Sequence, residues 1–265
     1  MGQIITIASQ KGGTGKTTTA VNIAASLSLM EKRTLLIDCD PQGSATTGLG
    51  VDKKSLKYSL FQVLSGTIQP HETIVRHRNL KYLHMIPSCF NLPHALPQYH
   101  AGTFSSGCKQ NALKDLTIAL KHEYDFILID SPPTLGDITL SALVASKWLL
   151  IPIQFQIFAL EGLGQLLKVV QQLHLSENPE LKIVGIVYTM HETMHKGGDI
   201  SKNHPGGELI PYVFSTKIPR NCLLRDSSDL GKPAALCNIQ SIGARSYMDL
   251  AVELMNRCDS RTSRN

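Results

Sequence analysis

A glycine-rich segment near the start of the chain constrains the fold more than any other feature of the sequence. It reads Lys11-Gly12-Gly13-Thr14-Gly15-Lys16-Thr17-Thr18, follows an apolar run at residues 4–8 and leads into a helical pattern from Thr17. Glycines let a short turn point several backbone N–H groups inward, and a helix that begins there adds the positive end of its dipole. A strand, this loop and a helix therefore predict a phosphate-binding turn in an α/β protein.

The loop carries the groups that bind Mg·ATP in such turns. Lys16 would bridge the β- and γ-phosphates, the Thr17 hydroxyl would bind Mg²⁺, and the backbone of residues 12–18 would cradle phosphate oxygens. The strict pattern G-x-x-x-x-G-K-[ST] fails, because Gln10 stands where its first glycine should be. Lys11 is a second lysine on the same loop, more than the phosphates of one nucleotide require. ATP and Mg²⁺ are the expected cofactors.

Strand-length apolar runs alternate with helical patterns along the chain, which is typical of a doubly wound, mostly parallel sheet with helices on both faces. The predicted strands are residues 4–8, 34–37, 125–129, 148–153, 182–188 and 213–218. The predicted helices are residues 17–30, 55–64, 111–121, 138–145, 160–173 and 242–257. We therefore expect a single α/β P-loop NTPase domain over residues 1–257 and a polar tail over residues 258–265.

Composition narrows the class of protein further. The 265 residues are 42% hydrophobic and 18% charged, which suits one globular domain with a sizeable core. The six cysteines form no C-x-x-C pair, so we expect a reduced chain in the cytoplasm without a cysteine-rich metal site. No run approaches the roughly 20 apolar residues that span a bilayer, and no membrane partner is expected. The net charge of +5 permits attraction to nucleic acid but does not locate it.

Three carboxylates follow or end predicted strands. Asp130 ends an apolar strand, where it could hold Mg²⁺ through water, although a strand-end acid that caps a turn would look the same. Asp40 precedes Pro41-Gln42-Gly43 after the second strand, where a carboxylate could orient the attacking water and lie near the metal. Asp38 lies on the same side of an extended strand as Asp40, and we predict a supporting role for it.

Further motifs follow the loop along nearly the whole chain. They are Ile37-Asp38-Cys39-Asp40-Pro41-Gln42-Gly43, Ile127-Leu128-Ile129-Asp130-Ser131-Pro132-Pro133, Ile151-Pro152-Ile153-Gln154, Ala159-Leu160-Glu161-Gly162 and Ile218-Pro219-Arg220-Asn221. Together with the loop they resemble the deviant Walker A ATPases, and specifically the ParA/Soj partition proteins. No single motif after the loop would be specific for that family, whereas the combination is.

The resemblance implies roles for individual residues. Lys11 stands at the position of the signature lysine, which in that family reaches across a dimer interface to the partner's ATP. Asp40 matches the catalytic switch aspartate, and Pro219 and Asn221 match a loop near the adenine. The candidate catalytic residues are Lys11, Lys16, Asp40 and Asp130. The candidate metal ligands are Thr17, Asp40 and Asp130.

The resemblance also implies a function. The chain would be a slow, switch-type ATP hydrolase that partitions chromosomal or plasmid DNA. Mg·ATP would drive a sandwich homodimer, the dimer would bind DNA without sequence preference, and a ParB-like centromere-binding partner would stimulate hydrolysis and release. The protein would be cytoplasmic, and associated with the nucleoid when ATP is bound.

Contacts with DNA are harder to place. A basic helix usually occupies the region of the family that aligns with residues 191–207, but glycines and prolines interrupt that region here. Residues 87–107 likewise lack the helical pattern expected from the family, and Gln156 stands where an acidic residue is often seen. The remaining basic candidates are Lys196, Lys202, Lys217, Arg220, Arg225, Lys232 and Arg245. An ordinary solvated surface explains them equally well.

Three further features of the sequence bear on functions other than partition. His191-Glu192-Thr193-Met194-His195 matches the H-E-x-x-H pattern of zinc proteases, but it runs into Lys196-Gly197-Gly198 without a long helix, so we interpret it as a solvated loop. A nitrogenase-iron-protein-like role would need cysteines within residues 130–137, and that segment has none. The alternative that stays open is a MinD-like or cargo-positioning scaffold that acts without DNA, although residues 258–265 are too short and polar for a membrane-binding helix.

Overall fold

A computed structural model describes residues 2–89, 111–154, 159–191 and 207–262. The strands in these residues are β1 (Gln3–Ile7), β2 (Thr34–Asp38), β3 (Val75–Arg76), β4 (Leu83–Ile86), β5 (Phe126–Asp130), β6 (Trp148–Gln154) and β7 (Lys182–Thr189). They form one sheet in the order β3-β4-β2-β5-β1-β6-β7. The short β3 is antiparallel to β4, and every other neighbouring pair is parallel.

Helices connect these strands in the same parts of the chain. They are α1 (Lys16–Leu29), α2 (Ser44–Gly48), α3 (Leu60–Leu64), α4 (Ala112–Leu120), α5 (Asp137–Ala145), α6 (Ala159–Leu175), α7 (Cys222–Asp229), α8 (Ala234–Asn238) and α9 (Ile242–Thr262). Short 3₁₀ turns occur at Lys53–Ser55, Pro70–Glu72 and Gly207–Tyr212. No helix within the described ranges is long and apolar enough to cross a bilayer.

Both faces of the sheet are covered, because successive residues of a strand point to opposite sides. In β2, Leu36 packs into a cluster with α1 and α9, whereas Leu35 and Ile37 pack with α3, α4 and α5 on the other face. Every residue of β2 and β5 is buried, as is typical of parallel strands between two helical layers. The predicted doubly wound α/β fold in a single domain is confirmed.

The order of the strands places the phosphate loop near the middle of the sheet, at the carboxyl ends of the parallel strands. The crossover from β1 leads to β2 on one side of β1, and the crossover from β5 leads to β6 on the other side. A crevice forms outside the carboxyl ends of parallel strands at such a switch point. The ends of β1, β2 and β5 therefore bring the loop, Asp38 and Asp130 to one place, and Asp38 pairs with Asp130 in the register of the sheet.

The predicted strand at residues 213–218 is wrong. This segment follows β7 through single bridges, of which Ile186 to Val213 is one, and its Phe214 N–H donates to the Ile186 carbonyl at 2.8 Å. The ladder stops there because the N–H groups of Ser215 and Thr216 donate to the side chain of Glu253 instead. An apolar run predicts burial, but it does not say where the backbone N–H groups point.

Several helix boundaries also differ from the prediction. The helix predicted at residues 55–64 is reduced to α3, because Ser59 and Gln62 form a capping box that starts it at Leu60. The last helix does not end at residue 257: α9 continues to Thr262 and buries Cys258 completely, so the predicted polar tail begins inside a helix. The short elements β3, β4, α2, α7 and α8 were not predicted, since they are too brief for a clear periodicity.

Candidate functional site

The phosphate loop follows β1 and is hydrogen-bonded to the end of β7. Gly13 and Gly15 have positive φ angles of 76° and 82°, which L side chains rarely adopt. The Thr189 hydroxyl, at the end of β7, donates to the Thr14 carbonyl at 2.8 Å, and the hydroxyls of Ser9 and Thr14 are hydrogen-bonded at 2.5 Å. These bonds fix the curl of the loop before any ligand is bound.

The two lysines of the loop have different environments. Lys16 is 6% exposed, and its Nζ donates to the Lys11 carbonyl at 3.2 Å. Burial lowers the pKa of Lys16, while the charges of Asp130 and Asp40 oppose that shift. Lys11, in contrast, is exposed, and it lines a small pocket beside β6. The two lysines of one loop therefore differ in burial: Lys16 is enclosed by the loop and Lys11 is accessible.

Asp130 is a completely buried carboxylate at the end of β5. Both oxygens are buried, and neither accepts a hydrogen bond of ordinary length from the described residues. Burial raises the pKa of Asp130 well above its usual value, and the charge of Asp38 adds to the shift, whereas the nearby Thr17 hydroxyl and Lys16 oppose it. A buried carboxylate in this condition is costly unless a cation or donor arrives.

This arrangement fits Mg²⁺. The Asp130 carboxylate and the Thr17 hydroxyl are oxygen ligands of the kind that Mg²⁺ prefers. No group of three or more His, Cys, Asp or Glu side chains in the described ranges gathers closely enough to hold a metal by itself. A magnesium ion here would accordingly keep water and phosphate oxygens as its other ligands, as is usual for nucleotide sites.

Asp38 and Asp40 have separate tasks in the turn after β2. Asp38 is completely buried and its carboxylate accepts hydrogen bonds from Thr46 N and Oγ1, both at 2.7 Å, and from Asp40 N at 3.1 Å. Asp40 is partly exposed at the loop and accepts from Gln42 N at 2.9 Å. Asp38 therefore holds the turn through both of its carboxylate oxygens, whereas Asp40 accepts from the turn through Oδ1.

Gly43 in this turn has no room for a side chain. Its φ is +62°, and a Cβ would lie 2.4 Å from the Ser88 carbonyl. The Thr46 hydroxyl accepts from Ser88 N at 2.9 Å. The turn that carries Asp40 is thus clamped against the end of β4.

A cavity of about 500 Å³ adjoins the helix end of the loop. Its lining residues are Gly15, Thr18, Thr189, Met190, Ile218, Pro219, Arg220, Asn221, Cys222, Leu224, Arg225 and Tyr247. Pro219 and Asn221 line this cavity, and their contact with an adenine base stays a prediction. Asn221 Oδ1 accepts from Leu223 N at 2.8 Å, which leaves its amide N–H₂ as the group able to face a ligand.

The cavity residues that sequence reasoning missed include Thr189, Met190 and Tyr247. Tyr247 comes from α9 and its hydroxyl is hydrogen-bonded to Thr19 of α1 at 3.2 Å. No local pattern predicts such a contact, because the two residues are far apart in the chain. Thr189 had a weak signal, since it is a polar residue at the end of an apolar strand that reaches the same edge as the loop.

The predicted DNA contacts are divided between two environments. Arg220 and Arg225 line the cavity, and Arg225 also pairs with Asp226 at 3.4 Å. Lys232 and Arg245 are exposed, and Lys217 is partly buried. Lys196 and Lys202 lie outside the described residues, as do Gln156 and all but the ends of segments 87–107 and 191–207. Within the H-E-x-x-H pattern, only His191 is described, and its N–H donates to the Ile218 carbonyl.

The loop, the buried Asp130, the Asp40 turn and the adjoining cavity define a P-loop ATPase. A protein-family model described as an AAA domain matches residues 2–183. The chain is 38% identical to the chromosome partitioning protein ParA of Myxococcus xanthus over 264 residues, covering 100% of this chain and 92% of that protein. It is 39% identical to the sporulation initiation inhibitor protein Soj of Bacillus subtilis over 254 residues, covering 96% and 98%. The chain therefore belongs to the ParA/Soj family of partition ATPases, as the motifs predicted.

Solved structures support the same fold. Cobyrinic acid a,c-diamide synthase from Mycobacterium smegmatis, with a bound ATP analogue and magnesium, has a TM-score of 0.77 at 29% identity, covering 98% of this chain and 97% of that one. The cell division ATPase MinD of Pyrococcus furiosus has a TM-score of 0.79 at 26% identity, covering 97% and 99%. The similarity covers nearly the whole length of both.

Proposed function

We propose that this protein is an ATP-dependent DNA-partition ATPase that acts in chromosome or plasmid segregation. Mg·ATP binding drives a sandwich homodimer, the dimer binds DNA without sequence preference, and a ParB-like partner stimulates slow hydrolysis that releases it. The observation that carries the ATPase part is the buried, unsatisfied Asp130 carboxylate beside the Lys16 loop. Family membership supports the partition part. The protein is accordingly cytoplasmic, and nucleoid-associated in its ATP state.

The chemistry follows from charge and position. The N–H groups of residues 12–18 and the Lys16 ammonium bind the phosphate chain, while Thr17 and Asp130 hold Mg²⁺. The metal, when bound, neutralises charge on the phosphoryl group that is transferred. Asp40 orients the attacking water through its carboxylate, whose Oδ1 is fixed by the hydrogen bond from Gln42 N. Little else is required, because phosphoryl transfer depends mainly on positioning and electrostatic stabilisation.

Lys11 acts between subunits in this proposal. It is exposed, whereas Lys16 already occupies the interior of the loop. If a second subunit faced the loop, Lys11 would lie near the phosphates of the nucleotide bound to that subunit. The interface would also exclude bulk water from both nucleotide sites. Hydrolysis would then depend on dimerisation, which makes the ATPase a switch.

A second candidate is a MinD-like scaffold that positions a protein or membrane cargo without DNA. The structural similarity to MinD of Pyrococcus furiosus favours it. The two candidates share the nucleotide chemistry and differ in the surface that the ATP state binds. DNA binding therefore decides between them.

The test uses the Asp40→Ala variant, which keeps the phosphate cradle and loses the group that orients water. Filter binding to arbitrary duplex DNA is measured with ATP, with ADP and without nucleotide, across a salt series. The parent should bind DNA only with ATP, and Asp40→Ala should bind for longer because hydrolysis no longer releases it. Raising salt should weaken both complexes, since their contacts are to phosphates.

Each part of the proposal can fail separately in this experiment. Parental hydrolysis in Asp40→Ala would contradict the catalytic role of Asp40. Absence of DNA binding by either protein at low salt, with ATP bound, would favour the positioning scaffold. Equal DNA binding with ATP and ADP would remove the switch.

A further inference from the structure

The wall of the nucleotide cavity is supported by α9 from a region far from the phosphate loop. We call residues 212–221 the base-side segment, because Ile218, Pro219 and Asn221 within it line the cavity. The segment follows the edge of β7, where Ile218 N–H donates to the Tyr188 carbonyl at 2.8 Å. Phe214 N–H likewise donates to the Ile186 carbonyl of β7. Between Phe214 and Ile218 the backbone leaves the sheet at Ser215 and Thr216.

Glu253 of α9 receives that turn. Its Oε1 accepts from Ser215 N at 3.0 Å, and its Oε2 accepts from Ser215 Oγ at 2.8 Å and from Thr216 N and Oγ1 at 3.0 Å. Burial would raise the pKa of Glu253, but these hydrogen bonds outweigh it and the pKa lies below its usual value. One carboxylate thus satisfies two backbone N–H groups and two hydroxyls that the sheet leaves unpaired.

Arg257, one helical turn later, fixes the start of the same segment. Its guanidinium donates to the carbonyls of Tyr212 at 2.9 Å and Val213 at 2.7 Å, and to Glu253 at 2.9 Å. It also stacks over the Phe214 ring, 4.0 Å from the centroid. A Cβ at Gly185 would lie 2.2 Å from that ring, so the contact with β7 has no spare room.

Helix α9 therefore contributes to the cavity in two ways. Tyr247 lines the cavity directly, and Glu253 and Arg257 hold the segment that supplies the opposite wall. Two residues, Lys217 and Ile218, separate Thr216 from Pro219, and Ile218 is also hydrogen-bonded to Tyr188 and His191. We expect a shift at Thr216 to be transmitted through this short stretch to Pro219 and Asn221.

We propose that Glu253 and Arg257 are positioning residues that determine the affinity of the site for the base and sugar of the nucleotide. The inference rests on the proposed function, since it takes the cavity to be the base-binding part of that site. The phosphate loop is anchored separately by Ser9 and Thr189, so it does not depend on this pair. Affinity for phosphate should be independent of the pair, and affinity for a whole nucleotide should not.

The test compares Mg·ADP with Mg·tripolyphosphate, which has a phosphate chain but no base or sugar. Calorimetry is performed on the parent, Glu253→Gln and the milder Thr216→Val, which keeps the backbone N–H. Asp249→Asn, at an exposed position of the same helix, is the matched control. We expect Glu253→Gln to weaken Mg·ADP about tenfold, because an amide cannot accept from all of the donors, and to leave Mg·tripolyphosphate unchanged. Thr216→Val should weaken Mg·ADP less, and Asp249→Asn should match the parent.

Steady-state kinetics give a second readout. Glu253→Gln should raise KM for ATP by a similar factor and leave kcat unchanged, because the reacting end of the site is intact. The inference would be overturned if Glu253→Gln lowered the affinity for Mg·ADP and for Mg·tripolyphosphate by the same factor. It would also be overturned if the folded variant bound Mg·ADP like the parent. If Glu253→Gln does not fold, Thr216→Val decides by the same criteria. Failure of the parent to bind Mg·ADP would instead refute the nucleotide site itself.

Discussion

The phosphate loop is built within one short stretch of chain, whereas the base-side cavity is assembled from β7, the base-side segment and α9. Lys16 and Thr17 are neighbours in the sequence and share one loop. Tyr247 and Pro219 both line the cavity because α9 packs beside α1 and also holds the base-side segment against β7. The phosphate loop is therefore a local structure, whereas the base-side cavity depends on tertiary packing.

The two ends also differ in their electrostatics. The phosphate end gathers Asp38, Asp40 and Asp130 around Lys16, and Asp130 is buried without a hydrogen bond of ordinary length from the described residues. The base end contains Glu253, a carboxylate whose oxygens accept from five donors on Ser215, Thr216 and Arg257. Groups placed for function are costly to the free protein, while groups placed for support stabilise it.

The largest expected effect separates the two lysines of the phosphate loop. Lys16→Ala should weaken both Mg·ADP and Mg·tripolyphosphate by about a hundredfold or more, because a buried charge-assisted contact with the phosphates is lost. Lys11→Ala is the matched variant on the same loop. It should bind Mg·ATP like the parent and lose the ATP-dependent dimer and stimulated hydrolysis. Calorimetry and light scattering measure the two outcomes, and a normal ATP-dependent dimer of Lys11→Ala would refute its action across the interface.

An intermediate effect is expected at the turn that carries Asp40. Thr46→Val removes the hydroxyl that donates to Asp38 and accepts from Ser88 N, so a buried N–H and a buried carboxylate each lose a partner. Stability should fall by about 1–3 kcal/mol, and kcat should fall about tenfold because Asp40 is less well held. Binding of Mg·tripolyphosphate should stay unchanged.

Thr47→Val is the control for that variant. Thr47 is exposed, and its hydroxyl donates to the Gly43 carbonyl within the same short helix. Thermal unfolding and ATPase assays of the two variants should separate the role of Asp38 from a general weakening of α2. Equal loss of kcat in both would contradict a specific role for the Asp38 network.

The smallest expected effect is a difference in pH dependence. Burial raises the pKa of Asp38 to about 7, so the folded chain holds that proton more tightly than the unfolded chain. Its contribution to the stability of the nucleotide-free protein is favourable at acidic pH and falls as pH rises from about 4 to about 7. The pKa of Glu253 is lowered, so its contribution is present above about pH 4.5 and is lost as pH falls below that value.

Urea unfolding of nucleotide-free parent, Asp38→Asn and Glu253→Gln near pH 4 and near pH 8 measures this difference. Relative to the parent, Asp38→Asn should gain stability between the lower and the higher pH, and Glu253→Gln should lose stability. Shifts of the same sign in both variants would mean that the two ends of the site do not differ in the way described.

Much of the phosphate end could be predicted from the sequence, because its geometry is local. The order strand, glycine-rich loop and helix predicted the P-loop, and the apolar runs before Asp38 and Asp130 predicted two strands, whose ends the structure places side by side. The family followed from those motifs and is confirmed by relatives that match nearly the whole chain. The catalytic and DNA-binding roles of individual residues stay predictions.

The sequence by itself determined the α/β class, the phosphate loop and the family, because glycine positions and apolar periodicity act over a few neighbouring residues. Tertiary structure decided the rest. The run at 213–218 has the apolar pattern of a strand. In the structure it forms no ladder, and its Ile218 lines the cavity. The reason is that Glu253, which is distant in the chain, accepts the N–H groups of Ser215 and Thr216 that a strand would donate to its neighbour. The end of α9 was likewise decided by packing, since Cys258 is buried in the core. A hydrogen-bond partner supplied from elsewhere in the chain has no signature in the segment that receives it.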